Sequence, residues 1–282
     1  MENILPVPGC TLRRRMIEIG DVRLSVLEKG AGPAVVFVHG SVTTSELFRH
    51  TLELFPQRYR ALAVDLRGYG HSDKPDSGYT IRQFSDDLRS LFDALDIDKA
   101  TLVGVSMGGF VAQRFALDYQ DRLAGLVLCA TSDGELAPEL LGTGDPADIV
   151  KGVGWRLFSK RMITGAFPAT ADQGIVDELI AQIESWNEAV IIGVSRSVKE
   201  FNTRDLLQDL DLPTLIMAGT EDRQLPLSFS RRLQQQIKNS RLEVFEGIGH
   251  FMMAEAPARF SGSLDAFLSD IYGDRKSVVD YI

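Results

Sequence analysis

Short apolar segments alternate with longer segments of helical periodicity from about residue 34 to near the end of the chain. Most of the apolar segments are unbroken, which is typical of strands that are covered on both faces of a parallel sheet. Alternation of such strands with helices predicts an α/β fold in which crossover helices connect parallel strands. The apolar segments lie at residues 34–38, 61–64, 101–105, 123–130, 214–219 and 242–245.

Residues 13–29 follow a different pattern, with apolar and polar positions alternating on either side of Gly20 and Asp21. Such alternation around turn residues predicts an antiparallel hairpin that opens the sheet. Together with the later segments, this hairpin predicts a mostly parallel sheet of about eight strands flanked by helices.

Residues 134–210 interrupt the alternation, because they start with the turn-rich segment GELAPELLGTGDP and continue with helical patterns that contain no clear strand. An insertion in an α/β sheet is best placed over the carboxyl ends of the strands, where such sheets bind ligands. We therefore predict a helical cap at 134–210 and a core formed by 1–133 and 211–282. The alternative is two ordinary crossover helices joined by a long loop. One apolar helical stripe of the insertion contains Ile175, Val176, Leu179, Ile180, Ile183 and Trp186.

The composition is that of an ordinary globular protein, with 44% hydrophobic and 24% charged residues in a chain of 282. The formal net charge of −9 argues against a nucleic-acid partner, because phosphate binding requires clustered lysine and arginine. The cluster Arg13, Arg14 and Arg15 is short and local, so we expect it at a solvated edge.

No apolar segment approaches the roughly 18 residues that a membrane-spanning helix requires. The first residues, MENILPVPGC, also lack the apolar core of a signal peptide, so we expect a cytoplasmic protein without a membrane partner. The cysteines are Cys10 and Cys129, and Cys129 lies in the apolar segment LVLCA. This pattern indicates neither a disulfide framework nor a zinc site.

The segment GVSMGG at 104–109 places Ser106 between glycines, directly after a predicted strand and before a predicted helix. Glycine and serine are common residues, so the pattern acquires meaning only from this strand-to-helix position. Gly104 and Gly108 permit a sharp turn without side-chain clashes, and Gly109 permits close packing of the helix. We therefore expect the Ser106 hydroxyl to project into the cleft as a nucleophile.

A serine nucleophile requires a base, since an alkoxide does not form unaided at neutral pH. If the chain order is nucleophile, acid and then histidine, as in the nucleophile-elbow arrangement, the base must follow Ser106. Of the 4 histidines, only His250 follows Ser106, and its segment EGIGHFMM comes directly after the last predicted strand. His250 is thus the predicted base, while His39, His50 and His71 are assigned structural or surface roles.

An acid must hold His250 in the correct tautomer. Asp222 follows the strand TLIMAG and precedes His250, which makes it the first choice, and the adjacent Glu221 is expected to point away. Asp133, after the strand LAGLVLCA, stays open as an alternative. Asp65 also ends a predicted strand, but the turn LRGYGHSD follows it, so we expect Asp65 to anchor that loop.

Two backbone amides are candidates for stabilising the oxyanion that forms when the serine attacks a carbonyl. Met107 supplies one at the start of the helix, where the helix dipole is positive. The second is expected from the loop HGSVTT, where Gly40 lets the chain bend so that the Ser41 amide faces the cleft. Val42 is the neighbouring alternative, and His39 is expected to brace the loop.

In combination, these features resemble the α/β-hydrolase superfamily, in its capped epoxide-hydrolase and haloperoxidase-like group. The resemblance covers nearly the entire chain and implies an α/β-hydrolase fold with a helical cap and a triad of Ser106, Asp222 and His250. The motifs that carry it are HG at 39–40, DLRGYGHSDKP at 65–75, GVSMGG at 104–109, GTED at 219–222, and GIGH at 247–250 with EAPARF at 255–260.

Departures from related families narrow the expected reaction. Haloalkane dehalogenases and epoxide hydrolases of this group use aspartate at the turn, because their alkyl-ester intermediate requires a carboxylate, whereas this chain has Ser106. Meta-cleavage carbon–carbon hydrolases resemble this chain but usually have HGSGPG where it has HGSVTT, which lowers without excluding that reaction. The proline that often follows HG by two residues is also missing, so the resemblance does not define the geometry of that loop.

The sequence therefore predicts a serine hydrolase of carboxylic esters or lactones that acts through an acyl-enzyme, with no metal or organic cofactor implied. Its expected partner is a small-molecule ester or lactone, and the chain is expected to be a monomer or homodimer. The alternatives are carbon–carbon bond hydrolysis by the same triad and a ligand receptor that turns over slowly. Predicted substrate contacts are Val42, Trp155, Phe158 and Trp186, with Phe167 and Phe201 as further aromatic candidates.

Overall fold

The structure, a computed structural model, describes residues 5–6, 12–136 and 144–273, and a nine-stranded sheet organises this part of the chain. From edge to edge the strand order is β1-β2-β3-β5-β4-β6-β7-β8-β9. The pairs β1/β2, β2/β3 and β3/β5 are antiparallel, and the remaining pairs are parallel. The strands are β1 Leu5–Pro6, β2 Arg13–Ile19, β3 Val22–Lys29, β4 Ala34–Val38, β5 Arg60–Asp65, β6 Ala100–Val105, β7 Leu123–Cys129, β8 Thr214–Gly219 and β9 Ser240–Phe245.

Helices connect the parallel strands, and several begin where a side chain satisfies a free backbone N–H. Thr80, Asp145, Asp172 and Asn187 accept such bonds at the starts of α2, α4, α6 and α7. No helix among the described residues has the length and apolar content that a membrane crossing requires. The helices are α1 Arg49–Leu54, α2 Ile81–Ala94, α3 Met107–Asp118, α4 Pro146–Val153, α5 Trp155–Gly165, α6 Gln173–Ala181, α7 Glu188–Glu200, α8 Leu227–Gln236, α9 Met252–Glu255 and α10 Pro257–Tyr272.

The α/β fold and its mostly parallel sheet confirm the prediction from hydrophobic patterning. The predicted strands are all present, with ends that differ by at most 2 residues. Strands β4, β6 and β8 are buried at every position, which explains why their apolar segments are unbroken. The ninth strand, β1, is 2 residues long and is therefore too short to show a period of its own.

The chain between β7 and β8 contains helices α4 to α7, which are more than the two crossover helices of the alternative prediction. The predicted apolar stripe is broken, because α6 ends at Ala181 and a 3₁₀ turn at Gln182–Ser185 precedes Trp186. Residues 137–143 of the turn-rich segment lie outside the described residues. We refer to residues 144–210 as the insertion, and their separation from the core as a distinct cap stays a prediction.

The expectation of a solvated arginine cluster is wrong for Arg14, which is 7% exposed. Its guanidinium donates to Ser25 Oγ at 2.7 Å and to Asp65 Oδ2 at 3.2 Å. Asp65 also accepts from the backbone N–H groups of Ser45 and His71, so it anchors the loop after β5 as expected. The charged side chain can be buried because it forms an ion pair with the buried carboxylate of Asp65, which lies at the end of β5 on the far side of β3.

Asp133 lies shortly after β7 and ties the start of the following segment to helix α8. Its two carboxylate oxygens accept from the guanidinium of Arg232 at 2.7 and 2.8 Å, and Gln236 donates a third bond at 3.1 Å. Burial alone raises the pKa of Asp133, but these bonds outweigh burial and hold the pKa below its ordinary value. Asp133 therefore has a structural role, because its carboxylate binds α8, whereas the carboxylate that binds His250 is that of Asp222.

We predict that Asp133→Asn lowers the free energy of unfolding by about 1–3 kcal/mol at pH 7, because it breaks a buried ion pair. The pKa of Asp133 is lowered on folding, so its contribution is present above the unfolded-state pKa and is lost as the pH falls below it. Urea unfolding of wild type and variant at pH 7 and pH 3 measures both effects.

Asp93→Asn is the matched control, since Asp93 also contacts two arginines, Arg89 and Arg122, but lies at the surface. Little change is expected for this variant. Equal losses of stability in the two variants would show that the contacts of Asp133 stabilise the protein no more than an exposed ion pair does.

Candidate active site

Ser106 occupies the turn between β6 and α3, with backbone angles φ 55° and ψ −120°. A positive φ is costly for a residue with a Cβ and persists only where the surroundings enforce it. Here the Ser106 N–H donates to Cys129 O at 3.0 Å, and Thr131 Oγ1 donates to Ser106 O at 2.9 Å. The strand-to-helix position that the sequence predicts for Ser106 is confirmed.

Three glycines around Ser106 lie where a side chain has no room. A Cβ on Gly104 would lie 2.2 Å from Gly108 O, and a Cβ on Gly108 would lie 2.2 Å from Val38 O. A Cβ on Gly109 would lie 2.5 Å from Thr131 Oγ1. The glycines thus allow helix α3 to start directly against strand β4 and the segment that follows β7.

His250 and Asp222 form a buried pair after strands β9 and β8, with side-chain exposures of 2% and 1%. His250 Nδ1 donates to Asp222 Oδ2 at 2.7 Å, and Oδ1 accepts from the backbone N–H groups of Gln224 and Leu225, each at 2.9 Å. With Nδ1 donating, the lone pair of the neutral ring lies on Nε2. Glu221 is exposed, as expected.

The loop that carries His250 is fixed from two sides. The His250 N–H donates to Ala166 O of the insertion at 2.9 Å. Glu255 accepts from the N–H groups of Gly249 at 3.0 Å and Phe251 at 3.2 Å, on either side of the histidine. Burial raises the pKa of Glu255 above its ordinary value. Sequence reasoning assigned no role to Glu255, although it begins the segment EAPARF.

The loop after β4 lies beside Ser106, since a Cβ on Gly40 would be 3.4 Å from Ser106 Cβ. His39 Nδ1 donates to Gly40 O at 2.8 Å, and its Nε2 accepts from the Leu66 N–H at 3.1 Å. Burial lowers the pKa of His39, which favours the neutral ring that these bonds require. His39 therefore braces this loop, as the sequence predicts.

Tyr69 fixes the next peptide of the same loop. Its hydroxyl donates to Ser41 O at 2.8 Å, and its side chain is fully buried against His39 and Trp186. In a trans peptide the N–H points away from the preceding carbonyl, so fixed carbonyls also fix the N–H groups of Ser41 and Val42. Sequence reasoning missed Tyr69, because a tyrosine in a glycine-rich turn carries no chemical signal of its own.

The predicted oxyanion donors, the N–H groups of Ser41 and Met107, are unused within the part of the chain that the structure describes. No hydrogen bond to a protein acceptor involves either group there. Met107 is the first residue of α3, where the N–H has no partner inside the helix. Both residues line the same pocket as Ser106.

Most of the residues that line this pocket are apolar, as in sites that bind small organic molecules. Ser106, Met107, Gln224 and Leu225 are among the residues that line it. Gln224 and Leu225 bind Asp222 through their backbone N–H groups, so the Asp222–His250 pair is hydrogen-bonded to residues of the pocket lining. No hydrogen bond among the described residues joins the Ser106 hydroxyl to His250.

The predicted substrate contacts divide into residues that line the pocket and residues that pack on other side chains. Val42 and Phe158 line the pocket, as expected. Trp186 is instead packed against Tyr69 and donates to Ser159 Oγ at 3.4 Å, while the ring of Trp155 lies under the guanidinium of its neighbour Arg156. The other two candidates pack on aromatic neighbours, Phe167 on Phe251 and Phe201 on Phe110.

The remaining histidines and cysteine lie away from this arrangement. His50 is half-exposed and bonds Glu178 at 3.0 Å, and His71 is exposed near Asp65. Cys129 is buried, and burial raises the pKa of its thiol far above the ordinary value. Among the described residues, no group of three metal-ligating side chains comes together. Cys10 lies outside the described residues.

A family model of the alpha/beta hydrolases matches residues 35–262. The chain belongs to the alpha/beta hydrolase family. This match spans every strand from β4 to β9 and all the residues of the site described above. The protein is therefore a hydrolase, as the motifs and the fold indicate.

Individual relatives of this hydrolase differ in the reactions that their names describe. A thermophilic esterase from Thermogutta terrifontis is 27% identical, superposes with a TM-score of 0.84, and is covered to 98% while covering 92% of this chain. A 2-hydroxy-6-oxo-2,4-heptadienoate hydrolase from Pseudomonas putida is 29% identical over 90% of this chain and 96% of its own length. A 3-oxoadipate enol-lactonase from Acinetobacter baylyi is 26% identical over 84% of this chain and 88% of its own length.

We predict that Gly108→Ala lowers the free energy of unfolding by about 2–3 kcal/mol or more, because its Cβ has no space beside Val38 O. Gly262→Ala is the matched control, since Gly262 lies in the middle of α10 and a Cβ there meets no atom within 4 Å. This variant should gain about 0.5–1 kcal/mol, because alanine favours the helix. Urea unfolding compares them, and a Gly108→Ala variant as stable as wild type contradicts the close approach.

Proposed function

We propose that this hydrolase cleaves carboxylic esters or lactones through an acyl-enzyme on Ser106. The observation that carries the proposal is the buried Asp222–His250 bond of 2.7 Å, which leaves His250 Nε2 without a protein partner among the described residues, while Gln224 and Leu225, which bind Asp222, line the same pocket as Ser106. A histidine oriented in this way by a carboxylate is the arrangement that activates a serine hydroxyl.

In the first step Ser106 Oγ attacks the substrate carbonyl carbon, and its proton passes to His250 Nε2. The tetrahedral intermediate then breaks its bond to the alcohol oxygen, which takes the proton from His250. In the second step His250 removes a proton from water, whose oxygen attacks the acyl carbon, and Ser106 regains its proton as the acid leaves. Asp222 keeps the proton of the neutral ring on Nδ1 and stabilises the charged ring between transfers. Bonds between nucleophile and base are often long without substrate and shorten in the reacting complex.

The N–H groups of Ser41 and Met107 are the proposed donors to the oxyanion. Both lack a protein acceptor and line the pocket beside Ser106. The carbonyls of Gly40 and Ser41 are fixed by His39 and Tyr69, so the loop is already oriented before substrate arrives. Donors that need no rearrangement at the moment of reaction stabilise the transition state most effectively.

The apolar character of the pocket and the names of relatives support an ester or lactone as substrate. Of the 14 described residues that line the pocket, 10 are apolar, which suits an acyl group or a ring of low polarity. An esterase and an enol-lactonase are among the relatives. A serine at the turn favours acyl transfer, since it forms a hydrolysable ester with the acyl carbon.

Carbon–carbon bond hydrolysis by the same residues is the second candidate. The relative from Pseudomonas putida, named a 2-hydroxy-6-oxo-2,4-heptadienoate hydrolase, matches 90% of this chain. Release of a dienoate product from a substrate of that class, at a rate that exceeds the rate on esters, would favour this alternative over the proposed one.

A fluorophosphonate probe tests the nucleophile. We expect wild type to be labelled at Ser106 and Ser106→Ala to be unlabelled and to lose nearly all hydrolysis of p-nitrophenyl acetate. Asp222→Asn should lower kcat by a factor of up to about 10⁴, whereas Asp133→Asn should retain most of kcat. Labelling of wild type at another residue, or an active Ser106→Ala variant, would contradict the proposal.

We predict that Tyr69→Phe lowers kcat by about 5- to 30-fold with little change in KM, because it loosens the Ser41–Val42 peptide, which directly follows the proposed donor N–H of Ser41, without removing a substrate contact. Tyr79→Phe is the matched control, since the Tyr79 hydroxyl also donates to a backbone carbonyl, that of Pro75, but away from the oxyanion loop. Steady-state kinetics on one ester measure both variants. An equal loss of kcat in the two variants would show that the effect is general destabilisation.

A further inference from the structure

Four of the 14 residues that line the pocket are polar, and they divide by position. Ser41 and Ser106 belong to the reaction centre described above. Gln224 and Ser195 lie elsewhere on the lining, Gln224 on the loop after β8 and Ser195 on helix α7 of the insertion. Neither of these two side chains has a part in the proposed chemical steps.

Gln224 is occupied by the protein itself. Its side-chain amide donates to Met162 O of helix α5 at 2.6 Å, and its backbone N–H donates to Asp222. These bonds explain the polar side chain as a link between the core and the insertion. Gln224 therefore needs no ligand to account for its presence.

Ser195 has no such explanation. Its residue is 6% exposed, and its hydroxyl makes no hydrogen bond within the part of the chain that the structure describes. A helical serine commonly donates to the carbonyl four residues earlier, which here belongs to Ile191, but that bond is also absent from the described contacts. The hydroxyl lies on a face of α7 that otherwise presents Ile191, Val194 and Val198 to the pocket.

When an apolar substrate displaces water from the pocket, this hydroxyl loses its contact with solvent, which is unfavourable unless a group of the substrate bonds to it. We propose that Ser195 determines specificity by forming a hydrogen bond with one oxygen-bearing group, a ketone or hydroxyl, in an otherwise apolar ester or lactone. This inference rests on the proposed function of Ser106. The substrate class is thus an oxygenated aliphatic ester or lactone rather than a plain hydrocarbon one.

Two matched series of medium-chain esters test the inference. In one series a single ketone is moved along the acyl chain, in the other along the alcohol chain, and each ester is compared with the unsubstituted ester of equal length. The enzymes are wild type, Ser195→Ala and Ser195→Thr, with Ser106→Ala as the blank. The readout is the ratio of kcat/KM for the ketone-bearing ester to kcat/KM for its plain counterpart.

We expect wild type to prefer one ketone position, and Ser195→Ala to lower that ratio by about 3- to 10-fold. Ser195→Thr keeps a hydroxyl and should keep most of the preference. Equal ratios in wild type and Ser195→Ala at every position, with plain esters still cleaved through Ser106, would overturn the inference alone. Absence of Ser106-dependent hydrolysis of any ester would instead contradict the proposed function, and the inference with it.

Discussion

The site depends on the close approach of three backbone segments at the turn that carries Ser106. Gly108 lies against the carbonyl of Val38, and Gly104 lies against Gly108, at distances that leave no space for a side chain. This contact forces Ser106 into an uncommon backbone conformation and places it beside Gly40. The strain at Ser106 is offset by hydrogen bonds to its N–H and to its carbonyl oxygen. The nucleophile is therefore presented by rigid elements rather than by a mobile loop.

The other parts of the site are held in place by hydrogen bonds to carboxylate and backbone carbonyl oxygens. Asp222 uses both oxygens, which fixes the tautomer of His250, and the oxyanion loop is held by His39 and Tyr69. The insertion contributes to the same loop, because Gln182 accepts two bonds from Thr44 at 2.9 and 3.1 Å and Trp186 packs on Tyr69. The helices over the pocket are therefore connected to the loop that is proposed to bind the oxyanion.

Hydrophobic patterning was sufficient for the sheet, because strands buried on both faces leave unbroken apolar segments. Chain order was sufficient to choose His250 and to prefer Asp222, but only the structure separates Asp222 from Asp133, since both follow a strand and the difference lies in which side chains face them.

Tyr69 and Glu255 could not be found in the sequence, because they act through bonds to backbone groups and any residue has such groups. The burial of Arg14 was missed for a related reason: its partner Asp65 lies on another strand, and pairing across strands has no local signal. The sequence could not place Trp186, because an aromatic residue in a helical segment packs equally well on a ligand or on a neighbouring side chain, here Tyr69.

The central claim is that the hydroxyl, the imidazole and the two backbone donors act on one carbonyl. The most direct measurement is a crystal structure of the protein after reaction with a fluorophosphonate. The account predicts a phosphorus atom bonded to Ser106 Oγ, with one phosphoryl oxygen about 2.7–3.1 Å from the nitrogens of both Ser41 and Met107 and with His250 Nε2 within hydrogen-bond reach of the adduct. An adduct whose phosphoryl oxygen points away from both amides, or whose nearest base is a residue other than His250, would contradict it.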